Sequence, residues 1–206
     1  YTLVPLGHNT NSSKNMIQPM SLPVNSVDAK LTVITINEVS LSNTAPVIAW
    51  FREDLRLTDN PALHAAMSSG RPLICVYIHD EETAGLRPLG GASKWWLNKS
   101  LQSLASDISD AGGHLTLRSG KSETVLQELI EQTGAKSVVW NRRYDKAERD
   151  LDAKIKQTLK DNDIDVTSYN ARLLNEPWTI ETKTGGYYKI FTPYWKAVRA
   201  SYTAPK

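Results

Sequence analysis

The chain has 206 residues, 40% hydrophobic and 22% charged, with a formal net charge of +2. A chain of that length buries a sizeable core, and its near balance of charge speaks neither for nor against nucleic acid, since a local basic face can hide in a neutral total. Cys75 is the single cysteine. That excludes a disulfide framework and suits a small buried residue in a reducing, cytoplasmic setting. No stretch approaches the ~20 apolar residues of a membrane span.

Residues 1–45 are rich in Asn, Ser, Thr and Pro and read as a poorly ordered extension of unknown role. Only "LTVITI" (31–36) has the β-branched run of a strand. The first arginine is Arg52, which argues against an Arg-rich transit peptide, and no secretory signal is visible. The start at Tyr1 suggests a piece of a longer reading frame.

From Pro46 a strand–helix rhythm begins. "VIAWF" (47–51) is a short apolar run of the kind buried on both faces. Asn60-Pro61 predicts an N-cap and first residue of a helix through Ser69, ended by Gly70. "LICVYI" (73–78) is a second strand, followed by a long helix over 92–111 with Trp96, Leu97, Leu101, Leu104 and Ile108 as its core stripe. "HLTLR" (114–118) follows Gly112-Gly113. Ser122 then caps a helix whose Val125, Leu126, Leu129 and Ile130 face inward. "SVVW" (137–140), a helix marked by Leu151, Ile155 and Leu159, and "DVTSY" (165–169) complete the pattern. Such alternation implies right-handed βαβ units, here a doubly wound (Rossmann-like) α/β domain over 46–170 with a five-stranded parallel sheet and helices on both faces. In the tail, Gly185-Gly186 marks a turn and Thr192-Pro193 the cap and first residue of a further helix.

Ligands of open parallel sheets bind outside the carboxyl ends of the strands. After the first strand stands "REDLRLTDN", with neither G-x-G-x-x-G nor G-x-x-x-x-G-K-[ST] anywhere in the chain, so phosphate cradling by backbone amides is unsupported. Arg52, Asp54 and Arg56 are open to two readings, mutually paired charges on a solvated loop or a contact surface for a partner.

"WFREDLRLTDNPAL" (50–63) resembles the opening signature of the photolyase/cryptochrome family. The likeness continues through "LGGASKWWLNKSL" (89–101), "VVWNRRYDKAERDLD" (138–152) and "YKIFTPYWKA" (188–197), and is strongest to bacterial photolyases that repair cyclobutane pyrimidine dimers. The resemblance implies an N-terminal antenna domain, with FAD and UV-damaged DNA bound by a following helical domain of which 171–206 would be linker and start. It implies a lyase as the parent enzyme, a monomer, and no catalytic residue within this chain. It also makes the charged loop architectural, locking the first strand–helix junction and the face toward the second domain.

Three residues follow as cofactor candidates. In folate-binding relatives an Asn-Glu pair holds the pterin of methenyltetrahydrofolate; here Glu148 matches, while Ala147 replaces the Asn. A carboxylate suits that ring because it accepts two parallel N–H bonds, and a first-turn glutamate is also favoured by the helix dipole. Asp80 matches an aspartate of relatives with a deazaflavin antenna, and otherwise reads as a turn former. Asn141 orients a chromophore or closes a turn. Arg142 and Arg143 read as solvated, His79 lacks metal-ligand company, and Trp95 and Trp96 read as surface and core neighbours. Rival expectations are a cryptochrome-type light receptor and a free-standing module for a nucleotide-like ligand.

Overall fold

A computed structural model describes residues 45–202; the candidate strand at 31–36 lies outside them. In chain order the elements are β1 (Val47–Phe51), α1 (Pro61–Ser68), β2 (Leu73–His79), α2 (Gly91–Asp110), β3 (Leu115–Ser119), α3 (Ser122–Thr133), β4 (Ser137–Asn141), α4 (Lys146–Asp161), β5 (Asp165–Tyr169) and α5 (Phe191–Ser201). The strands pair in parallel in the order β3-β2-β1-β4-β5. The order reverses between β1 and β4, which opens a crevice at their carboxyl ends.

Period-two alternation divides β1 between two cores. Ile48 and Trp50 join Val76, Ile78, Val138 and Trp140 on the face covered by α3 and α4. Val47, Ala49 and Phe51 join Cys75 and Tyr77 on the face covered by α1 and α2. Both faces of β1 are therefore dry, which explains its unbroken apolar run. Burial pushes the Cys75 thiol up to about 11, leaving it neutral.

Asn60 caps α1 as the sequence predicts, accepting the Leu63 N–H at 3.1 Å, with Pro61 at the first helical position. Three expectations are corrected. Ser122 is not a cap but the first residue of α3, and its own N–H is taken by Asp80 Oδ2 at 2.8 Å. Thr192 and Pro193 lie inside the first turn of α5, whose N-cap is Ile190; proline is tolerated there because first-turn N–H groups lack helical partners anyway. Trp96 leaves the core stripe of α2: it is 68% exposed and Trp95 60%, while Leu104 and Ile108 are buried. The first turns of α2 line a cleft, and Trp96 faces that space rather than the core.

Candidate functional site

The charged loop after β1 is folded inward. Arg52 and Asp54 are each only 6% exposed. Arg52 donates through Nη1 to Asp152 Oδ1 at 2.5 Å and through Nη2 to the Asn141 carbonyl, and its guanidinium lies 4.6 Å over the Trp50 ring. Burial lowers the Arg52 pKa and Asp152 opposes that shift. Asp54 closes the loop by accepting the Arg52 N–H at 2.8 Å and the Asn141 amide at 2.5 Å. Only the outer residues reach water: Arg172 donates to Glu53, and Arg56 to the Asp59 and Ala171 carbonyls. The solvated-loop reading fails for Arg52 and Asp54, because both are buried and each also bonds to β4 or α4. The strand–helix junction is locked, as the architectural reading expects.

Beside this lock lies a cleft of about 1000 Å³ at the carboxyl end of the sheet. It is bordered by the loop after β1, the 80–90 strap between β2 and α2, the first turns of α2, and the start of α4. Glu148 and Asp80 both line it, so two residues assigned to alternative chromophores share one cavity.

Glu148 Oε1 accepts from Arg143 Nη1 at 2.9 Å, with side chains 17% and 13% exposed. Oε2 has no partner among the described residues. Burial raises the Glu148 pKa, Arg143 pulls it back, and Glu53 and Asp145 push it further up. This carboxylate is held in place on one side and open to a donor on the other.

Asp80 is already engaged. Its oxygens accept from the Glu82 N–H (3.1 Å), the Thr83 N–H (2.9 Å), the Thr83 hydroxyl (2.6 Å) and the Ser122 N–H (2.8 Å). Burial works against the ionised form, yet these bonds outweigh it and hold the pKa below the ordinary carboxylate range. These contacts close the turn after β2 and hold the first N–H of α3.

Asn141 does not border the cleft. It is 3% exposed, its amide donates to Asp54 and to Asn60 (2.7 Å), and its oxygen accepts the Ala62 N–H (3.1 Å). Both amide N–H groups and one acceptance by its oxygen serve the β1–α1 junction, so in this structure Asn141 is an internal tie. Arg142 and Arg143 are likewise not free in solvent: Arg142 pairs with Glu176 at 2.5 Å and Arg143 with Glu148. His79 faces Glu81 at 3.6 Å, and the described residues hold no metal-binding group of acidic, His or Cys side chains.

Sequence reasoning missed three contributors. Trp96 offers an exposed ring on the cleft wall, and helical spacing gave no warning, since spacing marks a stripe but not where the stripe leaves the sheet. Arg143 orients Glu148, a contact the five-residue separation alone does not signal. Gly85 (φ +89°) brings the strap against Ala147, with a would-be Cβ at 3.8 Å from the Ala147 Cβ.

The family model for DNA photolyase matches residues 47–206. A deoxyribodipyrimidine photo-lyase of Agrobacterium fabrum is 52% identical over 158 residues, covering 77% of this chain and 32% of that protein. Cryptochrome-2 of Arabidopsis thaliana is 39% identical over 150 residues, covering 72% of this chain and 24% of that protein. Among solved structures, a bacterial class III photolyase from Agrobacterium tumefaciens matches with TM-score 0.71 at 48% identity, over 80% of this chain and 34% of that one. The chain spans about a third of the length of these two photolyases. With its parallel sheet, its locked β1 junction and this match running the full length of the α/β region, the chain belongs to the DNA photolyase family.

Proposed function

We propose that this chain is the light-harvesting domain of a deoxyribodipyrimidine photolyase, and that its cleft seats the antenna chromophore. One observation carries the reading: Glu148, oriented by Arg143 and open at Oε2, closes a large cleft at the switch point of the sheet. Such crevices are the usual ligand sites of this architecture.

The residues fit a folate better than a deazaflavin at Asp80. Glu148 can accept N–H donors from the amino-pyrimidine edge of a pterin, whereas Asp80 has its four lone-pair directions occupied. Trp96 supplies an aromatic ring on which a flat ligand could stack, and Ile78, Leu86 and Leu97 add apolar wall. When bound, methenyltetrahydrofolate would supply near-UV and blue absorption; the protein's part is to bind, orient and desolvate it. Ala147 offers no second amide, so weak binding is expected.

FAD does not fit the described residues. The loop after β1 has no glycine cradle, and its first N–H is taken by Asp54. On this reading FAD and the UV-damaged DNA are bound outside the α/β domain of the complete protein. The 52% identity to a photolyase favours repair over the cryptochrome reading, which rests on 39%.

Titrating the purified chain with methenyltetrahydrofolate and with a deazaflavin, followed by absorbance and fluorescence, tests the site. Saturable folate binding that is weakened in Glu148→Gln is expected. Equal binding by wild type and variant, or deazaflavin binding lost only in an Asp80 variant, would remove Glu148 from the role.

A further inference from the structure

Past β5 the chain leaves the sheet through residues 170–182, and this exit segment is tied to the domain unevenly. At its near end Arg56 donates to the Ala171 carbonyl at 3.2 Å and Arg172 to Glu53. Beyond Leu173, the hydrogen bonds that return to the sheet and its loops run, among the described residues, through one side chain, Glu176.

Glu176 carries a carboxylate yet is only 9% exposed. Its Oε1 accepts from Arg142 Nη1 at 2.5 Å and from the Tyr144 hydroxyl at 3.0 Å, both in the loop after β4. Arg142 is itself fixed to β5, donating to the Ser168 carbonyl at 2.6 Å and the Ser168 hydroxyl at 3.2 Å. Its guanidinium also lies 5.8 Å from the centre of the Trp178 ring, a cation–π contact two residues beyond Glu176. Burial, reinforced by Glu176, pushes the Tyr144 phenol up to about 12, so it remains a donor. Hydrogen bonds to ionised groups are the strong ones. Glu176 Oε2, however, is buried and unpartnered among the described residues, and an unmet buried acceptor costs free energy. The contact is strong at one oxygen and costly at the other.

Helix α5 depends on this contact at second hand. Its buried residue, Val198, lies in a groove of about 370 Å³ that α5 shares with Leu173, Leu174 and Asn175. The helix is seated against the exit segment. We propose that Glu176 is a latch: seated on Arg142 and Tyr144 it holds the exit segment and α5 to the domain, and withdrawn it releases both as one unit while the sheet stays folded. Local opening at less than the global unfolding free energy is expected where few bonds tie a segment to the core.

The test is amide hydrogen exchange, resolved by segment, on the full chain as wild type, Glu176→Ala and Glu176→Gln. In Glu176→Ala the amides of 174–182 and of α5 should exchange about ten- to a hundredfold faster, and by the same factor, the scale of a hydrogen bond to a charged group. Those of β1, β2 and β4 should keep their wild-type rates. Glu176→Gln, which retains an acceptor without the charge, should fall between. Unchanged exchange, acceleration of 174–182 without α5, or a wild-type α5 with no protection to lose would each overturn the latch. Uniform acceleration of the whole domain, or loss of the fold in both variants, would overturn it too and make Glu176 an ordinary core ion pair.

Discussion

Arg52 and Asp152 meet at 2.5 Å with side chains 5% and 13% exposed, tying the end of β1 to the middle of α4. The same Asp152 accepts the Trp140 indole N–H at 3.1 Å. One carboxylate thus joins two strands and a helix beneath the cleft, and its removal strands a buried cation.

Asp152→Ala is expected to destabilise the fold by about 3–5 kcal/mol, because a buried charge left without its partner costs more than the pair contributes. Urea denaturation of Asp152→Ala, Arg52→Met and the Arg52→Met/Asp152→Leu double variant decides the point. The double variant should recover much of the loss; strictly additive losses would contradict a coupled buried pair.

Asn141→Ala should lower stability by about 2–3 kcal/mol, since Asp54 and the Ala62 N–H are left without their buried partner. Folate affinity should be unchanged wherever the variant is folded. A folded variant with normal stability and lost binding would return Asn141 to the chromophore.

Glu148 and Asp80 carry opposite pH signatures. Burial raises Glu148 in the fold, so its contribution favours folding below the unfolded carboxylate pKa (about 4.3) and is lost as pH rises through the higher folded value. Glu148→Gln should therefore be more stable than wild type at neutral pH, with the advantage vanishing in acid. Asp80 is lowered, so its stabilisation is present above the unfolded pKa and disappears as pH falls through the lower folded value. Asp80→Asn should be less stable than wild type at neutral pH and converge with it in acid. Denaturant midpoints across pH 2–8 would show either trend reversed if the burial and bonding assignments were wrong.

Ala147→Asn should not create a working pterin pair. The strap passes beside Ala147 at Gly85, so a longer side chain at 147 competes with it for space. Folate titration should show no gain, or a loss; a clear increase in affinity would mean that the strap yields and that the missing amide alone limits binding.

Trp96→Ala should leave stability within about 0.5 kcal/mol, as expected for an exposed side chain. It should weaken ring binding by about 0.5–1.5 kcal/mol, the scale of an aromatic pair. Unaltered affinity would take Trp96 out of the site.

What the sequence by itself determined is the α/β architecture, and the reason is local. Apolar runs such as "VIAWF", the Asn60-Pro61 start of α1 and the four-residue spacing of Leu151, Ile155 and Leu159 each express a backbone period or cap that needs no distant partner. The cleft was legible only in part. Glu148 and Asp80 stand where the strand ends predict, yet nothing in their spacing says that one is open and the other filled. That difference lies in Thr83 and Ser122 closing on Asp80 and in Arg143 reaching only one oxygen of Glu148. Asn141 and Arg52 look like surface polar residues in sequence, and only the packing of β1 against β4 and α4 makes them internal. Trp96 looks like core, and only the cleft beside the first turns of α2 leaves it exposed. Periodicity records which residues share a face; whether that face meets protein, water or a ligand depends on elements far away in the chain, and tertiary structure alone decides it.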